Sequence, residues 1–318
     1  MAQAFNTPVL LMAWCRPKAL AQVINAIRPV APSCLFVACD GPRHDHPSDL
    51  EKVNATRGLI DILVDWPCRI ERLYSPTNLG CRLGPITAIT WFFSQVSAGI
   101  ILEDDCVPHV EFLPYCAELL KYYANDTRVW CISGDNFQCG HWRGDGSYYF
   151  SRYSFSWGWA TWRRCWQHYD ADILQWPTLR DSGLLITLFD DSIEAEYWSR
   201  IWQATYDKAT PITWWDYQWA FTCISNSGLS IHPNRNLVSN IGCDSDATHT
   251  AGLDICVPAV DSLGPIVHPS LVIRNSEADA YSFNHHFGGS SMRRDRFILA
   301  RVKRRLSSLF RKKTGLLG

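Results

Sequence analysis

The chain has 318 residues, 47% hydrophobic and 19% charged, with 30 Lys plus Arg against 31 Asp plus Glu. This balance supplies a large core and excludes a disordered chain, and its longest apolar runs, such as Pro8 to Cys15, are far too short to span a bilayer. The net charge of −1 conceals an asymmetry: from Met292 onward there are ten basic residues and one acid, so the tail carries +9 and the remainder −10.

In chain order, Pro8 to Ala13 reads as a first buried strand. The following CRPKALAQVINAIRPV places Leu20, Val23, Ile24 and Ile27 at helical spacing. Cys34 to Cys39 is the second strand, closed by the turn Asp40-Gly41-Pro42-Arg43 with an acid at the strand's carboxyl end. Leu50 to Leu63 reads as a helix and Arg69 to Ser75 as a short third strand, after which Asn78 to Gly84 opens a helix running to Val96. In GIILEDDCVP, Gly99 to Pro108, the apolar run Ile100 to Leu102 delivers three consecutive carboxylates, Glu103, Asp104 and Asp105. Three acids at the end of a buried strand repel one another unless a cation or several donors face them, and hard divalent ions prefer such oxygen ligands.

Alternation of strand and helix implies an α/β fold with a doubly wound, mostly parallel sheet, its ligand edge marked by Arg16, Asp40, Arg82 and Glu103. No GxGxxG or GxxxxGK[ST] occurs, so neither a dinucleotide fingerprint nor a P-loop is supported. Each position also has an ordinary reading: Asp40 as a turn former, Arg82 as the partner of a neighbouring acid, the triplet as a solvated loop.

Phe112 to Tyr123 reads as a helix and Val129 to Ser133 as another strand. Composition then changes: eleven of the fifteen Trp lie between Trp142 and Trp219, in segments such as SFSWGWATWRRCW and ITWWDYQWAF. Most of these rings are expected to fill a core, and the remainder to line a sugar-sized pocket, since ring faces bury the C–H surface of a pyranose while its hydroxyls stay free to hydrogen-bond. Asp216, flanked by Trp214, Trp215 and Trp219, stands in surroundings that favour a desolvated carboxyl, with the cap of a following helix as its ordinary reading; Asp190, Asp191, Glu194 and Glu196 are competing acids. Ile255 to Ser291 carries turn formers and the adjacent His285 and His286, which could form a metal site but are expected to be an exposed or core-satisfied pair. In the tail, Leu299, Val302, Leu306, Leu309 and Phe310 follow helical spacing among basic residues, a basic amphipathic helix suited to an anionic membrane surface, with a helix packed on its own domain as the ordinary reading.

The succession MAWCRP, CDGPR, NLGCR, IILEDDCVP, VWCISGDN, SWGWATW and WWDYQW, over residues 8 to 252, resembles nucleotide-sugar glycosyltransferases of the GT-A fold. The likeness is to N-acetylglucosaminyltransferase I and bacterial nucleotide-diphospho-sugar transferases. It implies a metal-dependent transfer of sugar from a nucleotide-diphosphate donor, a UDP-sugar, to a glycan or lipid-linked acceptor with inversion, in a setting such as polysaccharide biosynthesis. By the same resemblance Asp105 is the ligand of Mn2+ (or Mg2+), and Glu103 and Asp104 face the donor ribose and the metal's water shell. Arg16 lies by the diphosphate, Asp40 by the uracil ring and Arg82 near the nucleotide, the last matching in position but not in residue type. Asp216 is the catalytic base, and His249, in NLVSNIGCDSDATHT, is a phosphate or metal contact.

The expected organisation is a GT-A-like catalytic domain over 1–252, with a nucleotide-binding half to about 140 and an aromatic-rich acceptor half from 141. An irregular closing segment follows over 253–291, then the basic tail over 292–318. Residues 1–7 lack the basic start of a secretory signal, the anchor and stem of the animal enzymes do not precede the first strand, and the thirteen Cys show no CxxC or zinc spacing. The expectation is therefore reduced thiols in a cytoplasmic protein, peripheral on the cytoplasmic face of a membrane through its tail, with no nucleic-acid partner. Two other classes stand beside this reading. A sugar nucleotidyltransferase needs a basic glycine-rich loop at the first strand, which MAWCRPK lacks; a noncatalytic carbohydrate-binding protein accounts for the rings but not for Glu103 to Asp105.

Overall fold

The computed structural model describes residues 4–189, 191–208, 213–242 and 261–298. Its first half alternates strand and helix: β1 (Val9–Ala13), α1 (Pro17–Ile27), β2 (Cys34–Cys39), α2 (Ser48–Leu63), β3 (Arg69–Tyr74), α3 (Gly80–Gln95) and β4 (Ala98–Glu103). β1 reads VLLMA and every residue is buried, the pattern of a strand covered on both faces. α1 starts at Pro17, whose fixed φ and missing N–H suit a first helical turn, and it buries Leu20, Val23, Ile24 and Ile27. Then come β5 (Cys106–Pro108), α4 (Phe112–Tyr122) and β6 (Val129–Ser133).

The second half carries β7 (Tyr148–Ser151), β8 (Trp159–Trp162), α5 (Arg163–Trp166), α6 (Trp176–Asp181), α7 (Leu185–Leu188), α8 (Ser192–Asp207) and α9 (Asp216–Ser225). It ends with β9 (Leu229–Pro233), β10 (Val238–Asn240) and α10 (Ser276–His285). Among the described residues, eight strands form one sheet in the order β3-β2-β1-β4-β8-β6-β9-β7, and β10 pairs with β5 in a two-stranded ribbon.

β3, β2, β1 and β4 are mutually parallel, and β6 pairs in parallel with β9. β8 runs antiparallel between β4 and β6, and β7 runs antiparallel to β9. The fold is therefore α/β with a mostly parallel sheet flanked by helices, as expected, with an antiparallel insertion that the sequence reading lacked. β8 is only WATW, buried at all four positions, too short for a period-two signal to separate it from the aromatic segment around it. Strands from both expected halves share the one sheet.

From β1 the chain winds outward through β2 and β3, and α3 then returns it to the other side of β1 as β4. The direction of winding reverses between β1 and β4, which is where an open α/β sheet leaves a crevice at its carboxyl edge.

Behind the edge lie two cores. One is aliphatic and aromatic, around β1, β2, β4 and α4. The other is built largely of rings, including Trp176, Trp198, Trp202, Phe221 and Phe283. Eight of the eleven clustered Trp are buried; Trp142 is exposed, and Trp157 and Trp214 are partly exposed. The segment read as irregular contains a helix, α10. Its N-cap Asn275 accepts from Ala278 N, and Gln138 Nε2 donates to Ala278 O (3.1 Å) and Ser282 Oγ (2.8 Å). Capping, the buried Asp279 carboxylate held by Arg152, Arg274 and Ser151, and a single buried ring, Phe283, hold this helix, so its apolar periodicity is faint. Residues 289–298 are helical. The rest of the basic tail, residues 299–318, lies outside the described residues, as do His249 and Asp190. Among the described residues the cysteines are free thiols, and no helix is long and apolar enough to cross a membrane.

Candidate active site

A cavity of about 950 Å³ opens at the carboxyl edge of β1, β2 and β4, a volume suited to a small organic ligand. Arg16, Asp40, Glu103, Asp104, Asp105 and Asp216 all line it.

The acid triplet sits at the winding reversal. Asp104 and Asp105 are buried, and Glu103 is partly exposed at the end of β4. Trp14, one residue beyond β1, donates its backbone N–H to Asp104 Oδ2 (2.9 Å), and its indole N–H to Gly41 O (2.8 Å) ties β1 to the turn after β2. Arg16 Nη1 donates to Asp105 Oδ2 and stands 3.6 Å from Asp104 Oδ1. Burial pushes the Glu103 carboxyl up to about 8, helped by the charges of Asp105 and Asp104 and, more weakly, of Asp216. Burial also pushes Asp104 up, to about 6, against the pull of Arg16. For Arg16 itself, burial works against the charge, but Asp104 and Asp105 outweigh it and raise its pKa. One guanidinium against three carboxyls leaves the edge short of positive charge.

Asp40 follows β2, as expected, but its two oxygens are already engaged. They accept from Gly41 N (2.8 Å), Leu79 N (2.9 Å), Gly80 N (3.0 Å) and Asn78 Nδ2 (2.9 Å). The N-cap residue of α3 is Leu79, which has no side chain able to cap, so Asp40 supplies from β2 the acceptor that the helix start requires. Burial raises the Asp40 carboxyl while these backbone donors lower it. Gly41 is obligatory here, since a Cβ would press on the Thr77 backbone.

Arg82 does not join this edge. Its guanidinium turns away to Ala171 O (3.0 Å) and Asp172 Oδ1 (2.9 Å), and it is absent from the cavity wall. The expectation that four polar positions converge is corrected to three, because a carboxylate and a carbonyl beyond α5 compete successfully for the arginine. The acids that rivalled Asp216 are also spent elsewhere. Asp191 caps α8 and pairs with Arg293, Glu194 is buried against Tyr153 and Arg152, and Glu196 lies 3.9 Å from Arg296.

Asp216 opens α9 and accepts from Tyr217 N (3.0 Å) at the helix N-terminus, where a carboxylate is favoured. Trp214, Trp215 and Tyr217 line the cavity beside it.

Trp14, Asp135, Gly242 and His286 are among the cavity residues to which the sequence reading gave no role here. Asp135 follows β6 as Asp40 follows β2, and that repeated position was the available signal. Gly242 packs on the ion pair: a Cβ there would collide with Asp105 Oδ2 and lie 3.1 Å from Arg16 Nη1. Ile241 N donates to Asp105 O (2.8 Å), so the β5–β10 ribbon seats this glycine on the acids. Nothing local to NIGCD announces that approach.

The donor set suits a hard divalent cation: oxygen ligands only, short of counter-charge, at the floor of a cavity. Among the described residues no group of three or more His, Cys, Asp or Glu is arranged to hold a metal. Mg2+ and Mn2+ need no such cage when one or two carboxylates share them with substrate phosphates.

No protein-family model and no curated protein matches the chain. Among solved structures it is similar to a 4-diphosphocytidyl-2C-methyl-D-erythritol synthase from Anaerococcus prevotii, at 9% identity over 72% of this chain and 89% of that one, TM-score 0.34. It is also similar to an apo UDP-glucose pyrophosphorylase, at 8% identity over 74% of this chain and 93% of that one, TM-score 0.38. Neither likeness is close enough to transfer a function.

Proposed function

We propose that this chain is a glycosyltransferase that moves a sugar from a nucleotide-diphosphate donor, of the UDP-sugar type, to a hydroxyl of a glycan or lipid-linked acceptor with inversion. The observation that carries this reading is the meeting in one cavity of Glu103, Asp104 and Asp105 at the sheet edge with Asp216 at the start of α9, beside the partly exposed ring of Trp214.

Asp105, with Glu103 and Asp104 beside it, would hold the divalent cation, Mn2+ or Mg2+. A bound cation offsets the charge that collects on a departing nucleoside diphosphate. The Trp14 backbone N–H fixes the Asp104 carboxylate in place, and Arg16 presents a permanent positive charge to the diphosphate. Asp216 accepts the proton of the acceptor hydroxyl as its oxygen bonds to the anomeric carbon and the opposite C–O bond to phosphate breaks. The apolar rings of Trp214, Trp215 and Tyr217 beside the acid would limit the water that competes as acceptor.

Calorimetric titration with UDP, with and without Mn2+, followed by a screen of UDP-sugars for slow donor hydrolysis, tests the reading. Asp105→Ala is expected to lose metal-supported UDP binding, whereas Asp216→Asn keeps UDP binding and loses at least a hundredfold in turnover. UDP binding that is indifferent to metal removes the cation site, and near-normal turnover by Asp216→Asn removes the base.

A further inference from the structure

Asp135 is a buried carboxyl that the proposed transfer does not use. It is 1% exposed, stands two residues beyond β6, and belongs to the cavity wall. Its Oδ2 accepts from Trp157 N (3.1 Å), and the Ser133 hydroxyl stands beside the carboxyl but donates to Phe155 O (3.2 Å), so that Oδ1 has no well-formed hydrogen bond among the described residues. A buried carboxyl oxygen left unmatched is costly, and of the buried polar atoms without a partner among the described residues, Asp135 Oδ1 is the carboxyl oxygen that belongs to the cavity wall.

Its surroundings have one chemical character. Phe137, Phe155, Trp157 and His286 all line the cavity near it. Phe137 stands 5.3 Å from the Trp157 ring, 4.7 Å from Phe155 and 4.1 Å from the imidazole of His286, centroid to centroid. Trp157 is partly exposed, and burial holds His286 neutral, with its pKa pushed down to about 4, so the imidazole offers one N–H donor and one acceptor. Apolar ring faces together with a carboxyl and a neutral imidazole match a ligand whose own faces are C–H and whose edges are hydroxyls. β6 lies two strands beyond β4 in the sheet, so Asp135 is set roughly 10 Å along the edge from the acid triplet, about one to two pyranose rings away.

We propose that Asp135, Trp157 and His286 form a sugar-ring subsite in this cavity, with a ring hydroxyl facing the Asp135 carboxyl and the pyranose face against Trp157. The assignment rests on the sugar-transfer reading for the source of the ring, which is either the donor's sugar or the acceptor's terminal residue.

The test uses the full chain and a panel of methyl glycosides of glucose, galactose, mannose and N-acetylglucosamine, followed by saturation-transfer NMR and titration, with UDP plus Mn2+ titrated in parallel. At least one glycoside should bind, and both Asp135→Asn and Trp157→Leu should weaken it tenfold or more while UDP binding stays within twofold. Trp157→Leu keeps the backbone donor to Asp135 and alters a partly exposed side chain, so it decides the matter should Asp135→Asn fail to fold. Loss of donor hydrolysis in these variants assigns the ring to the donor, and unchanged hydrolysis assigns it to the acceptor. Glycoside binding unchanged by either folded variant overturns the subsite, as does UDP binding with no glycoside bound. Glycoside binding without UDP binding sinks the transferase reading and leaves the subsite standing.

Discussion

Arg16 and Asp105, placed beyond β1 and beyond β4, form an ion pair across the point where the winding of the sheet reverses, and Gly242 closes over it without a side chain. The pair joins the cation beside the acid triplet to the acid expected to hold a metal.

Arg16→Gln would therefore leave three neighbouring carboxyls without a counter-charge. A quarter of the Arg16 side chain is exposed, so the cost is expected at about 2 kcal/mol rather than the roughly 3–5 kcal/mol of a fully buried pair. Urea unfolding should show that deficit in EDTA and recover most of it at saturating Mn2+. A deficit unchanged by Mn2+ would mean that the cation does not sit against these acids.

Glu103, its carboxyl pushed up to about 8 by burial and the neighbouring acids, is expected to hold a proton at pH 7 when no cation is bound. A divalent cation beside it favours the ionised form, so binding should release up to about one proton at pH 7 and progressively fewer as pH rises past 8. Apparent Mn2+ affinity should rise with pH over the same interval. Calorimetry in two buffers of different ionisation heat counts the protons, and a count of zero at pH 7 would show that Glu103 is already ionised.

Asp40 is expected to act first as the cap of α3. Asp40→Ala leaves four donors without their acceptor at a half-buried helix start, at a cost of about 2–3 kcal/mol in urea unfolding. A loss below about 0.5 kcal/mol, with UDP binding abolished, would instead make it a ligand residue with incidental bonds.

His232 is fully buried between Tyr153 O (2.8 Å) and Asp135 O (3.4 Å), and burial pushes its pKa down to about 4 despite those acceptors. The folded value lies below the unfolded one near 6.5, so its contribution is complete above pH 6.5 and is lost as pH falls toward 4, because the unfolded chain takes the proton first. By pH 5 the loss should reach about 2 kcal/mol. His232→Gln should lack this component, so the wild-type and variant stability curves should converge on acidification. Parallel curves from pH 7 to pH 5 would refute it.

The sequence by itself determined the α/β alternation and the acids of the edge. Buried strands such as VLLMA and helices such as Pro17–Ile27 are written in local apolar periodicity, and Asp40 and Glu103 to Asp105 are fixed to the strand ends by chain continuity alone. Where the side chains of those residues would find partners was not local information. Arg82 and Asp172 lie far apart in sequence, so only the packing beyond α5 could draw that arginine from the edge. β8 is inserted because both of its neighbours offer free hydrogen-bonding edges, a property of β4 and β6 that WATW does not carry. Likewise, the cap that Asp40 gives to α3, the seat of Gly242 on Asp105 and the unmatched oxygen of Asp135 depend on segments brought together only by the closed fold, since hydrogen bonding and burial act between neighbours in space rather than along the chain.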